Sequence, residues 1–150
     1  YKEDVQTILN NVQTSVYQDK YNALINFANS ASDWNSGWTI GNVIWKKGFY
    51  AMQFGLAYQL TGNEEYGNKA KNYLLGFAGF SKQDYGSQSI HATTDAFWQL
   101  SLAYDFVYEL LTEAEKQTLI NFFYDKCIAN EYLDADGVAG GYYYYYYYYY

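Results

Sequence analysis

The chain has 150 residues, a formal net charge of −7, one cysteine and no proline, enough for one domain with a real core. All nine basic residues are lysine, so no guanidinium fork is available for a phosphate or carboxylate, and nucleic acid is excluded as an expected partner. A single cysteine rules out a disulfide framework within the chain, and no apolar run is long enough for a membrane span.

From Asp4 to Phe27 the apolar residues Val5, Ile8, Leu9, Val12 and Val16 recur with helical spacing. A break near Gln18 to Lys20 is expected to split this stretch into two helices. Ser30 to Asn42, "SASDWNSGWTIGN", is small, polar and glycine-bearing, and reads as a loop holding two tryptophans. Val43 to Leu60 reads as a helix too apolar all round for a surface position.

Gly62 then suits the left-handed residue that ends a helix, and Asn63 suits the N-cap of the next. Glu64 and Glu65 favour the positive end of that next helix. Tyr66, Ala70, Tyr73, Leu74 and Phe77 form its apolar face. The two helices are expected to form an antiparallel hairpin with its tip at "LTGNEEYGNKA".

A second loop is expected over roughly Gly79 to Ala92. Thr93 or Thr94 would cap a helix from Asp95 to Leu110. Thr112 and Glu115 then make a capping-box pattern ahead of a last helix bearing Leu119, Ile120, Phe122, Phe123 and Ile128. "QFGLAYQL" from Gln53 and "QLSLAYDF" from Gln99 share Gln-x-x-Leu-Ala-Tyr at an offset of 46 residues. That offset fits a two-helix repeat, and the paired small residues Gly55 and Ser101 suit close helix approach. "DADG" at Asp134 to Gly137 has the flavour of a calcium loop, but no acidic ligand follows at the twelfth position, so no metal site is expected. The chain closes on nine tyrosines, Tyr142 to Tyr150, which read as a tag or as residues of uncertain identity rather than as domain.

"LAYQLTGNEEYGNKAKNYLLGFA" and "LAYDFVYELLTEAEKQTLINFF" together resemble the α/α-toroid domain of polysaccharide lyases, of the alginate lyase and heparinase II/III-like kind. The resemblance covers about Trp45 to Tyr124. It implies an all-α fold of antiparallel helical hairpins in an (α/α) toroid, here an incomplete ring over residues 1–141. It implies β-elimination on a uronate-containing glycan by an extracellular or periplasmic bacterial enzyme, with no cofactor. The expected partners are an acidic polysaccharide or oligosaccharide, and the remainder of a larger chain or other copies covering an open apolar face. A chain that begins at Tyr1 rather than Met fits a removed leader or a cut from a longer protein.

Such lyases use a tyrosine or histidine base, and His91 is the only histidine here, with Ile90 where the family has asparagine. Trp34, Trp38 and Asn42 are the expected sugar platform, rings stacking on sugar faces and the amide bonding hydroxyls. Trp98 could join them if its helix faces the groove, whereas Trp45 is expected in the core. Asp95 and Asp105, about 15 Å apart along one helix, are too far apart for a glycosidase pair from that helix alone. Lys46 and Lys47 could neutralise an anionic substrate. Two alternatives stay open: a non-catalytic helical repeat that binds glycan or assembles with other copies, and a glycoside hydrolase on the same scaffold.

Overall fold

In a computed structural model, residues 2–12, 15–88 and 90–128 are described; among them every regular element is helical. Helix α1 spans Lys2–Val12 and α2 spans Ser15–Ser30. α2 therefore runs straight through Gln18 to Lys20, where a break was expected. Tyr17 to Lys20 are all exposed there, and nothing opposes a helix. The loop after α2 is fastened at several points by residues further along the chain. The Tyr73 hydroxyl donates to Ser32 O at 3.0 Å, and Asn72 Nδ2 donates to Asp33 Oδ2 at 2.8 Å. Lys69 Nζ donates to Ala28 O and Ala31 O, so a cation meets the negative end of α2.

The expected helix from Val43 to Leu60 is two. A single turn, α3, covers Ile40–Val43, and α4 covers Lys47–Thr61. Between them Lys46 takes φ −135°, outside helical geometry. The break buries Ile44 and leaves Trp45 in solvent. No glycine or proline marks it in the sequence. α4 buries Ala51, Phe54, Ala57 and Leu60, and α2 meets it through Phe27 against Tyr50 and Phe54.

α4 ends as its sequence dictates. Gly62 takes φ 69°, a conformation that strains any residue with a Cβ. Asn63 then accepts the Glu65 N–H at 3.0 Å, opening α5 over Glu64–Ala78. Tyr58 meets Gly67, and the Phe54 ring lies 5.8 Å from that of Tyr73. Contact positions thus fall along α5 as they rise along α4.

The expected loop from Gly79 to Ala92 contains a short helix, α6, over Lys82–Gly86, started by a reciprocal Ser81–Asp84 cap. Tyr85 is buried and donates to Phe77 O at 2.7 Å. α7 covers Ile90–Val107 and begins five residues before the expected Asp95. Thr93 and Thr94 are therefore inside it, not at its cap. The reason is packing: Ala92 and Thr93 lie in the core, which draws the helix upstream.

A 3₁₀ turn, Tyr108–Leu110, follows, and Thr112 caps α8 over Glu113–Phe122 with the expected reciprocal bonds to Glu115. The Glu115 carboxylate is held below the usual range, first by the Thr112 backbone N–H and further by Lys71. A π-helical turn, Phe123–Ile128, ends the described region and sends Lys126 Nζ to Ala78 O and Phe80 O.

α4 and α7 lie closest together. A Cβ at Gly48 would sit 3.1 Å from Ala96 Cα, and one at Gly55 would sit 2.9 Å from Phe106 Cβ. Gln59 donates to Phe106 O. Here the contact positions rise together on the two helices. Gly55 thus has the close-approach role its place in the repeated hexapeptide suggests, whereas its match, Ser101, is exposed. The core is one cluster running from Ala28 to Phe122 through α4, α5 and α7. Asp134 to Gly137 and Tyr142 to Tyr150 lie outside the described residues.

Candidate functional face

The tryptophans divide into two groups. Trp34 and Trp38 lie together, ring centroids 5.5 Å apart and nearly perpendicular. Trp34 also meets Tyr73, Phe77 and Phe80. Its six-membered ring lies directly over Gly76, where any Cβ would collide with it. Both indoles are half-buried. Trp38 carries Lys47 Nζ 4.5 Å from its ring, and the same ammonium lies 4.0 Å from Tyr50. Burial, with a smaller contribution from Lys46, lowers the Lys47 pKa. Tyr73 is pushed up to about 12, mainly because burial disfavours the phenolate. The Trp34–Trp38 loop is thus a plug of stacked rings over the end of α5.

The Asn42 Oδ1 is engaged within its own turn. It accepts from the Thr39 N–H at 3.0 Å and the Thr39 hydroxyl at 2.9 Å, fixing the start of α3. The residue itself is exposed.

Trp98 and Trp45 are the exposed pair, at 48% and 62%. For Trp45 the core expectation fails because the Ile44–Lys46 turn lifts it out of the helical face that Val43 and Ile44 bury. His91, Asp95, Trp98, Leu102 and Asp105 follow one another at helical spacing along α7 and are all exposed. His91 and Trp98 are therefore on one stripe, about 10 Å apart along the axis. The same stripe occurs 46 residues earlier: Trp45 and Phe49 exposed, Met52 and Leu56 half-buried.

Gly48 seats this part of α4 against Ala96 and Gln99, so both stripes flank one seam. The result is an aromatic face shared by two helices, with His91 at the head of one and Lys46 at the head of the other. Lys46 is exposed, unlike its ring-covered neighbour Lys47. Phe49 and Trp45 were missed by sequence reasoning. The repeat offset carries His91 and Asp95 back onto them, but the stripe becomes visible only with α7 starting at Ile90.

The chemical inventory of the face is short. It offers flat apolar rings, two carboxylates on α7, one imidazole and one ammonium. Among the described residues no group of three or more histidine, cysteine, aspartate or glutamate side chains is placed to hold a metal ion. No helix among them is long and apolar enough to cross a membrane. A shallow depression at Lys82, Gln83, Gly86 and Ser87 contains none of the aromatic residues. Comparison with models of known protein families, with curated proteins and with solved structures finds nothing that matches this chain.

Proposed function

We propose that the chain is a stretch of an α/α-toroid of the polysaccharide lyase kind, and that the α4–α7 aromatic face is its glycan-binding groove. The single observation that carries this is the exposure of Trp45 and Trp98 on either side of one helix seam. Rings held in this way suit the apolar CH faces of successive sugar units. The fall of contact positions along α5, against their rise along α7, supports reading α4 with α5 as an antiparallel hairpin and α7 as the first helix of the next, with α4 and α7 lining the groove. In that reading Trp34, Trp38 and Asn42 close one end of the array.

For β-elimination, His91 would remove the C5 proton of a uronate unit while Lys46 neutralises its carboxylate. The electron pair forms the C4=C5 double bond, the C4–O bond breaks, and the departing oxygen takes a proton from water. The glycan would be acidic and the setting extracellular or periplasmic. The net charge of −7 and the lack of arginine favour a second reading, in which the face binds glycan without cleaving it.

The test is titration with alginate, hyaluronan and heparan sulfate oligosaccharides, following tryptophan fluorescence and the ultraviolet absorbance of unsaturated product. Binding with product that His91→Ala abolishes supports the lyase reading. Binding without product supports the second. No binding across the panel of acidic and neutral oligosaccharides refutes both.

A further inference from the structure

The aromatic face has a carboxylate set within it. Gly48 lies against Ala96, so Asp95 is level with the start of α4, where Trp45 and Phe49 are exposed on either side of Gly48 in the chain. Asp95 is itself exposed. Along the α7 axis it lies about 5 Å before Trp98 and about 6 Å beyond His91, and helical spacing keeps all three on one stripe. Asp95 thus stands among three exposed rings, those of Trp45, Phe49 and Trp98.

An exposed carboxylate alone needs no explanation, because water satisfies it. The rings around Asp95 are what distinguish it. Glu65, Glu113 and Glu115 each meet a lysine, whereas among the described residues no ion pair or hydrogen bond engages the Asp95 side chain. Asp105, the other carboxylate of the face, lies about 10 Å beyond Trp98 along the axis, on the far side of Leu102.

A sugar seated on these rings covers Asp95 and strips water from it. Covering an unpaired carboxylate is costly, so the sugar must bring a donor. A hydroxyl supplies one neutral bond. An ammonium supplies a charge-assisted bond and is also favoured on the ring faces. A second uronate would set one carboxylate against another.

We infer that Asp95 selects an amino sugar: beside the uronate held at His91 and Lys46, the face takes a unit with a free amino group, whose ammonium meets Asp95 between the rings. The inference deepens the glycan reading and rests on it. It names the ligand class as an alternating copolymer of uronate and unblocked amino sugar, and it sets a pure polyuronate aside. It also reconciles an acidic, arginine-free chain with a uronate ligand, because alternate units of that ligand carry the opposite charge.

The experiment titrates the full chain with three oligosaccharides of matched length, following tryptophan fluorescence at a slightly acid pH that keeps the amine charged. The three are hyaluronan, hyaluronan with its N-acetyl groups removed, and oligogalacturonate. The deacetylated form is expected to bind about tenfold more tightly than hyaluronan, with oligogalacturonate weakest. Asp95→Asn, isosteric and at an exposed position, should bring the two hyaluronan affinities to within about twofold without moving Tm. Asp105→Asn should keep the preference, and added salt should shrink it in the parent. The inference fails if the parent does not distinguish the two hyaluronans or binds oligogalacturonate as tightly as the deacetylated form. It fails equally if the preference survives Asp95→Asn, or if Asp105→Asn alone removes it. In each of those cases binding itself leaves the glycan face standing, whereas no binding of any of the three overturns both.

Discussion

Trp34 with Trp38 and Trp45 with Trp98 are the same side chain in opposite circumstances. The first pair is clamped among Tyr73, Phe77, Phe80 and the Lys47 ammonium. The second pair stands in solvent on either side of the Gly48 seam. The difference shows that ring type does not decide whether an indole is packed or exposed. Backbone context does: a glycine hollow at Gly76 draws one indole in, and a helix break at Lys46 turns another out.

The largest effect should come from emptying the plug. Trp34→Ala is expected to cost about 3 kcal/mol or more in urea unfolding, because it leaves a void among four rings. Gly76→Leu attacks the same contact from the other side. It should cost about 1–3 kcal/mol, since the indole must leave its place to admit the new side chain. A smaller, pH-dependent effect belongs to Tyr73. Its folded pKa lies above its unfolded value, so the unfolded chain loses its proton first as pH rises. Stability is full below about pH 10 and falls as pH climbs toward 12. Tyr73→Phe should flatten that alkaline loss in melts taken across this window, although it gives up the bond to Ser32 at neutral pH.

The helix ends were readable in the sequence because they rest on local chemistry. Gly62, Asn63, Thr112 and Glu115 act through backbone groups within a few residues. The breaks were not readable. The turn at Ile44–Lys46 carries no glycine or proline, and its position follows from burying Ile44 beside Val43. The start of α7 at Ile90 is set by burial of Ala92 and Thr93, a tertiary effect that overrides the capping preference of Thr93 and Thr94. Trp45 was assigned to the core for the same reason, since its surroundings depend on a turn that only packing explains. His91 and Trp98 were each visible singly. Their shared stripe emerged once α7 was known to reach back past Asp95.

The smallest stability effect sharpens the comparison most. Trp98→Ala and Trp45→Ala should each change unfolding stability by no more than about 0.5 kcal/mol, as exposed substitutions do. Either should nonetheless weaken oligosaccharide binding about tenfold, equivalent to about 1.4 kcal/mol.

The most direct measurement is a fluorescence titration of the double variant Trp45→Ala/Trp98→Ala beside the parent, using uronate oligosaccharides. The account predicts a saturable change in the parent that disappears in the double variant, whose melting temperature stays the same. A double variant that still binds with the parent's affinity, leaving Trp34 and Trp38 to report it, would contradict the assignment of the groove to α4 and α7.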